Sequence, residues 1–170
     1  MTWNYQVQLD TASNVNDDTR LELGTDMGTI GLYVSEGGMS KELHGVGALG
    51  AGFDYISPSA FKTTYDVDGY SNIQYHTPAG MLPFGAQVKL GYVPDMNDTT
   101  LLSAKEDNGN PGTHATGRNL TQASITASPI DGLTIQGDVA STSNETGVNV
   151  STEEGVSANL GAKYTMGQVS

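Results

Sequence analysis

The residues of this chain whose types suggest a function are the charged ones, and the function they suggest is electrostatic: they attract ions and orient polar solutes. Bases occur at Arg20, Lys89 and Lys163, and five acids lie in the glycine-rich segment 36–69. These acids are Glu36, Glu42, Asp54, Asp66 and Asp68. If the segment folds over a surface that carries the bases, opposed charges across a narrow aqueous passage create a transverse field, which orients dipolar solutes and filters ions. The alternative is that the five acids are solvated loop residues.

Other kinds of chemistry find little support in the residue types. His44, His76 and His114 lie far apart and lack the spacing of a zinc site. The chain has no cysteine, and no arrangement of nucleophile, base and acid is evident. Residues 66–69 resemble part of a calcium loop without its remaining ligands. The sequence therefore predicts no enzyme, no cofactor and no metal site.

The elements that would position the charges are β-strands with one apolar side and one polar side. Residues 84–92 alternate, with Phe, Ala, Val, Leu and Tyr at the even positions and Gly, Gln or Lys at the odd ones. Residues 133–142 and 155–165 repeat the pattern. Because successive side chains on a strand point to opposite faces, each segment has an apolar face without charges. This pattern is typical of a transmembrane antiparallel β-barrel, and the sequence therefore predicts an all-β protein of that class.

The pattern predicts about eight strands whose connections alternate in length. The strands are expected at about 3–9, 18–24, 29–35, 70–77, 84–93, 118–127, 133–142 and 155–165. Short turns fall at every second connection, as the periplasmic turns of outer-membrane barrels do, and longer polar segments fall at the others. Aromatic residues near strand ends are expected to form interfacial girdles, among them Tyr70, Tyr75, Phe84, Tyr92 and Tyr164.

The sixth predicted strand alternates least regularly. Leu120 falls on the side opposite Ala123 and Ile125, together with Arg118. This strand therefore gives the weakest alternation of the eight, and Arg118 is expected to face inward if the odd positions face lipid.

Composition and charge narrow the classes of function. Apolar residues make up 36% of the chain and charged residues 15%, and there are 22 glycines, which suits a wall between lipid and water better than a soluble core. The net charge is −12, from 19 acidic and 7 basic side chains. Such a balance disfavours nucleic acid and attracts cations, although it also serves solubility.

Two stretches resemble the general diffusion porins of Gram-negative bacteria. Residues 21–33, LELGTDMGTIGLY, resemble the hairpin that precedes the long inward-folding third loop of that family. Residues 70–93, YSNIQYHTPAGMLPFGAQVKLGYV, resemble the strand–turn–strand unit that follows the loop. Met27 stands where the family more often has an aromatic residue, and the arginine cluster that often lines its constriction is reduced to Arg20 and Arg118.

The resemblance implies that residues 1–170 are a single partial barrel domain, about eight strands of a sixteen-stranded wall, with 36–69 as the pore-constriction loop. It implies a homotrimer in the bacterial outer membrane, in contact with membrane lipid and lipopolysaccharide. Ions, with a leaning toward cations, and small hydrophilic solutes would diffuse through it passively. The charges that line the pore or its constriction would be Arg20, Glu36, Glu42, Asp54, Asp66, Asp68, Lys89 and Lys163.

Two alternatives stay open at this point. Eight strands are enough to close a small barrel, which would serve as a non-conducting outer-membrane anchor or adhesin. A soluble β-rich surface-binding domain belongs to a different class. We favour a partial barrel, because residues 169–170 resemble the start of another strand and because small closed barrels rarely carry a connection as long as 36–69. The chain opens directly on a strand pattern without a secretory signal, which predicts a mature form or a fragment.

Overall fold

The computed structural model shows one antiparallel β-sheet, and it describes residues 1–7, 18–34, 36–39, 66–96, 118–144 and 156–166. The sheet has eight strands, each paired with the next in sequence, so the predicted all-β antiparallel architecture is confirmed. The strands are β1 (Thr2–Val7), β2 (Thr19–Thr25), β3 (Gly28–Val34), β4 (Asn72–His76), β5 (Gln87–Val93), β6 (Arg118–Ile130), β7 (Leu133–Asn144) and β8 (Val156–Tyr164). Within the described residues the helical segments are two short 3-10 turns, Val67–Gly69 and Pro83–Gly85, and neither of them is long enough to cross a membrane.

Two of the three connections at one end of the sheet are two-residue turns. Asp26 and Met27 alone join β2 to β3, and Asp131 and Gly132 alone join β6 to β7. We call the edge of the sheet with these connections the turn end. The segments after β1, β3, β5 and β7 leave from the opposite edge, the loop end, and each is longer than these two-residue turns. The β4–β5 connection also lies at the turn end, but it spans residues 77–86 and is longer than the predicted 78–83 turn. The predicted short turns are therefore present between β2 and β3 and between β6 and β7, but not between β4 and β5.

The tight β2–β3 turn depends on a glycine. Gly28 has a φ of 124°, a backbone conformation that residues with a side chain rarely adopt. A Cβ at this position would also lie 2.5 Å from the backbone oxygen of His76 on β4. Thr25 completes the turn, since its hydroxyl donates to the Gly28 carbonyl oxygen at 3.0 Å.

Replacing this glycine is expected to destabilise the sheet. Gly28→Ala should lower the free energy of unfolding by about 1–3 kcal/mol, because the strained backbone and the contact with His76 both penalise a Cβ. Gly80→Ala is the matched control: Gly80 has a φ of 77° but no heavy atom near its built Cβ, so it should cost only about 1 kcal/mol. Denaturant unfolding followed through Trp3, the single tryptophan, measures both. Equal losses would contradict the role of the His76 contact.

The first face of the sheet is apolar and exposed. One cross-strand row on it takes a residue from every strand, and each of the eight is apolar or aromatic. The row is Trp3, Leu23, Ile30, Tyr75, Leu90, Ala123, Val139 and Ala158. Large side chains on this face are open to the surroundings: Leu160 is 80% exposed and Trp3 is 74% exposed. In a soluble antiparallel sheet the apolar face packs on a core, whereas here the apolar face is exposed.

The opposite face is polar. The row next to the apolar one consists of Thr2, Gly24, Thr29, His76, Lys89, Ser124, Asp138 and Asn159. On the central strands the side chains of this polar face are buried, among them Gln122, Gln136 and Asp138. The strict alternation predicted for the strands that became β5, β7 and β8 is therefore present in the sheet.

Buried apolar side chains form one cluster at the loop end of the polar face. Its members are Met39, Val67, Val93, Met96, Leu120 and Ala140. Leu120 is out of step with the alternation of its strand because it packs into this cluster, which the sequence did not predict. Tyr70 also packs against the cluster, so the prediction that Tyr70 belongs to an interfacial girdle is wrong.

Two strand boundaries differ from the sequence prediction by three residues, and the other described boundaries differ by two residues or fewer. The strand expected from residue 84 begins at Gln87, because Pro83 starts a 3-10 turn and Phe84 has a left-handed backbone with φ of 62°. The strand expected to end at residue 127 continues to Ile130 through a register shift after Ala127. Irregular pairing of this kind adds residues to one strand without breaking the hairpin.

Candidate functional site on the polar face

The two ends of segment 36–69 lie against the polar face of the sheet, and glycine makes this approach possible. A Cβ on Gly91 in β5 would lie 2.7 Å from the Met39 sulfur and 3.1 Å from Cγ1 of Val67. With hydrogen in place of a side chain, both residues pack directly on the strand. The structure describes residues 36–39 and 66–69 of this segment, and residues 40–65 lie outside the described part.

A buried asparagine connects these ends to the sheet. The Nδ2 of Asn72, the first residue of β4, donates to the backbone oxygens of Glu36 at 3.0 Å and Val67 at 2.9 Å. It also donates to the backbone oxygen of Tyr70 at 3.0 Å. An amide nitrogen has two hydrogens, so the three carbonyl oxygens share them. Asn72 therefore holds both ends of the segment at one point of the sheet.

Two glutamines extend this network. The Nε2 of Gln74 donates to the backbone oxygen of Gly37 at 2.5 Å and to Oδ1 of Asn72 at 2.8 Å. On β6, Oε1 of Gln122 accepts a hydrogen bond of 2.9 Å from the backbone N–H of Val67. Because these segments are not strands, their backbone groups need side-chain partners where they are buried. We call Asn72, Gln74 and Gln122 the amide latch.

Asp66 joins the two ends of the segment to each other. Its Oδ1 accepts from the backbone N–H of Met39 at 3.0 Å and from that of Asp68 at 3.4 Å. Asp68 lies beside Gly38, where a built Cβ would be 3.0 Å from Oδ2 of Asp68. Both predicted pore acids are therefore found at the base of the segment, and the contacts of Asp66 are structural ones.

Arg20 and Glu36 bring one predicted base and one predicted acid together. Nη1 of Arg20 lies 3.5 Å from Oε1 of Glu36, and Nη2 donates to Oε1 of Gln6 at 2.5 Å. The two charges form a direct ion pair rather than facing each other across a gap. Both side chains are partly exposed, so the pair adds little stability. It does fix the direction of the guanidinium on the polar face.

Beside this pair lies a group of residues that sequence reasoning did not select. The hydroxyl of Tyr33 donates to Oε1 of Glu22 at 2.7 Å, and Nδ2 of Asn4 donates to Oε2 of Glu22 at 3.3 Å. The Tyr33 ring stacks on His76, with ring centroids 6.3 Å apart. Strand parity was the available signal, since it places Glu22 on the same face as Arg20.

Lys89 lines a polar cavity of about 180 Å³ beside the loop ends. The cavity wall consists of Met39, Gly85, Gln87, Lys89, Ser124 and Thr126. This volume holds several water molecules. Lys163 lies on the same face at β8, where it is half-buried opposite Thr134. The remaining predicted site residues, Glu42 and Asp54, lie outside the described residues.

The arrangement places polar and charged groups along one face of the described sheet. Among the residues that the structure describes, no three His, Asp or Glu side chains come close enough to hold a metal ion. The basic groups of Arg20, Lys89 and Lys163 lie on the same face as the acidic groups of Glu22, Glu36 and Asp138. Such a surface attracts ions and orients dipolar solutes.

The fold and this face define an all-β protein built on a single antiparallel meander with one apolar and one polar face. Comparisons with protein-family models, with curated proteins and with solved structures give no match to the chain. Its function is therefore inferred from its own residues.

Proposed function

We propose that this chain forms part of the wall of a porin-like β-barrel in the bacterial outer membrane. Ions, preferentially cations, and small hydrophilic solutes diffuse through it passively. The observation that carries the proposal is the inverted sheet, which exposes an apolar row contributed by all eight strands and buries polar side chains on the other face. Each exposed apolar side chain costs free energy in water, at about 25 cal/mol per Å², and none in hydrocarbon.

The dimensions of the apolar face support a lipid boundary. Strand β8 has nine residues, and its exposed side chains are Val156, Ala158, Leu160, Ala162 and Tyr164. At about 3.4 Å per residue and a tilt of about 40°, such a strand crosses roughly 20 Å of membrane. That height is close to the apolar band of about 25 Å on outer-membrane barrels. Trp3 and Tyr164 lie at the turn end and Tyr92 lies near the loop end, where interfacial aromatics belong.

The polar face supports a barrel wider than eight strands. An eight-stranded barrel has an interior just wide enough for its own side chains. Here the polar face also accommodates two chain segments, 36–39 and 66–70, and a cavity beside them. In a bilayer the outer strands β1 and β8 each need an antiparallel partner, because unpaired backbone groups are costly in hydrocarbon. A closed wall of about sixteen strands satisfies both requirements.

The charge distribution supports passive, cation-leaning permeation. The polar face carries both signs, while the chain as a whole has a net charge of −12. A net negative charge concentrates cations by long-range attraction, and charges of both signs on the polar face orient dipolar solutes. Segment 36–69 is proposed as the constriction loop, since both its described ends lie on this face. A homotrimer in contact with lipopolysaccharide completes the proposal.

Single-cysteine labelling tests the lipid boundary directly. The chain has no cysteine, so each introduced thiol is unique. A polarity-sensitive fluorophore on Leu160→Cys should be quenched by lipid-borne quenchers, and the same probe on the adjacent Asn159→Cys should be quenched by aqueous iodide. Equal quenching of both positions by iodide would exclude a lipid-facing apolar side.

Planar-bilayer conductance of the full-length gene product tests permeation. Discrete, voltage-independent current steps are expected. A protein that gives the alternating quenching pattern without current steps would be the non-conducting anchor or adhesin. A protein that is monodisperse in buffer without detergent would be the soluble surface-binding domain, and the membrane proposal would be wrong.

A further inference from the structure

Two cross-strand rows of the polar face run beside the cavity that Lys89 lines. Each row takes one residue from β5, one from β6 and one from β7; the rows are Lys89, Ser124 and Asp138, and Gln87, Thr126 and Gln136. The members on β5 and β6 line the cavity, which has a volume of about 180 Å³. Asp138 and Gln136 are the direct cross-strand neighbours of two lining residues, at a Cβ separation of about 5 Å. The rows therefore bring polar and charged side chains of three strands to one place.

Gln136 is buried without a hydrogen-bond partner. The residue is 1% exposed, and within the described part of the chain neither its Nε2 nor its Oε1 has a partner. A buried amide in this state lowers stability, because it loses its hydrogen bonds to water and gains none in return. Such groups are rare in folded proteins, and a bound molecule is one way to satisfy them. The adjacent cavity beside Thr126 has the space for one.

The first row carries a base at one end and an acid at the other. Lys89 and Asp138 flank Ser124, so their Cα atoms lie two strand spacings, about 10 Å, apart. Asp138 is 5% exposed and accepts a hydrogen bond from Asn159 at 3.4 Å. An ammonium group has three hydrogens and a carboxylate has about four lone-pair sites, so both can bind a ligand in addition to their contacts within the protein. Opposite charges at this spacing are complementary to a small molecule that carries both signs.

We propose that this cavity is a binding subsite for a small zwitterionic solute, an α-amino acid with a short side chain. Lys89 binds the carboxylate of the ligand, and Asp138 binds its ammonium group. The unpartnered amide of Gln136 gains hydrogen bonds from the same ligand, and Met39 supplies an apolar wall for its side chain. The inference goes beyond the proposed permeation and rests on it only in that water must reach the polar face.

Charge and volume together select this class of solute. A lone anion beside Lys89 is repelled by Asp138, a lone cation beside Asp138 is repelled by Lys89, and a neutral sugar gains nothing from either charge. The cavity of about 180 Å³ is smaller than the roughly 300–1,000 Å³ of pockets for drug-sized ligands. A molecule that has few non-hydrogen atoms and carries both charges therefore fits best.

Equilibrium dialysis with radiolabelled L-alanine tests the subsite on the full chain folded in detergent micelles. Saturable binding is expected. Acetate and methylammonium, which each carry one of the two charged groups, should compete at least about tenfold more weakly, as expected for the loss of a hydrogen bond to a charged group. Acetate or methylammonium that competes as well as alanine would overturn the zwitterion assignment, and so would the absence of saturable binding.

Removal of the charge at either end of the first row should weaken alanine binding. Lys89→Gln and Asp138→Asn are each expected to lower the affinity about tenfold or more. Asp131→Asn is the matched control, because it makes the same substitution in the same hairpin but at an exposed position of the β6–β7 turn. It should bind alanine as the wild type does. An equal loss in all three variants would assign binding to the overall charge of the protein and overturn the subsite.

Gln136→Leu separates a binding role from a structural one. Leucine has a similar volume and no polar side-chain atoms, so the midpoint of denaturant unfolding should rise or stay the same while alanine binding weakens several-fold. A structural role alone predicts that stability and binding fall together. Unchanged alanine affinity in this variant would contradict the subsite, since the unpartnered amide is a group that the ligand is proposed to satisfy.

The binding measurement needs no current, so its outcome is separate from the test of permeation. Current steps without alanine binding would overturn the subsite and leave the permeation proposal intact. Alanine binding without current steps would support the subsite and overturn permeation.

Discussion

Leu160→Arg is expected to destabilise this protein by about 2–4 kcal/mol, because on the proposed lipid boundary it places a basic side chain at the middle of the membrane. Leu160 lies at the centre of β8 and is 80% exposed. In water, a substitution at such an exposed site changes stability by about 0.5 kcal/mol or less. The same substitution therefore has a small effect in a soluble domain and a large one in a membrane wall.

The matched control is the neighbouring residue on the polar face. Asn159→Arg should cost less than about 1 kcal/mol of stability. Position 159 pairs with Asp138 on β7 and lies on the face that is proposed to contact water. Urea unfolding of the vesicle-reconstituted protein, followed by the fluorescence of Trp3, measures both variants. Equal and small costs at positions 160 and 159 would contradict the assignment of the apolar face to lipid.

Charge reversal at Lys89 is expected to shift ion selectivity further toward cations. Lys89 lies in the polar row between His76 and Ser124 and lines the cavity beside the loop ends. Lys89→Glu changes the local charge by two units. At a separation of about 8 Å in water this alters the energy of a monovalent ion by about 1 kcal/mol, which is a factor of about five in relative occupancy. Reversal potentials in a salt gradient give the permeability ratio.

Two controls separate this electrostatic effect from a change of shape. Lys89→Gln removes one charge unit, so its shift should be about half as large in free energy. Raising the salt concentration to about 1 M shortens the Debye length to about 3 Å and should suppress both shifts. A reversal potential that is the same for wild type, Lys89→Gln and Lys89→Glu would remove Lys89 from the permeation path.

The sheet could be predicted from sequence because its physical cause is local. Alternation of apolar and polar side chains reports which face each residue occupies, and it placed Leu160 and Asn159 on opposite faces. It does not report what covers a face. Leu120 breaks the alternation because Met39 and Val67, residues distant in sequence, pack on it. The prediction that Tyr70 lies in an interfacial girdle fails for the same reason. Tyr70 packs on the buried cluster, whose members come from other segments, and alternation within one strand does not report them.

The candidate site could be predicted only in part. Charge type and parity selected Arg20 and Glu36, which the structure brings within 3.5 Å of each other. The amide latch gave no such signal, because an asparagine or glutamine on a polar face looks the same in sequence whether water or a backbone carbonyl is its partner. Asn72 becomes distinct only through its contact with Glu36, which lies 36 residues away along the chain.

The unbroken sequential order of the strands has a consequence for how such a sheet changes over evolutionary time. Every ladder joins neighbours in the chain, with no crossover anywhere among the eight described strands. A duplicated or deleted hairpin therefore preserves the direction, the parity and the turn-end or loop-end position of all the others. Insertion or removal of a whole hairpin would therefore keep the apolar and the polar side chains of every other strand on the faces they now occupy.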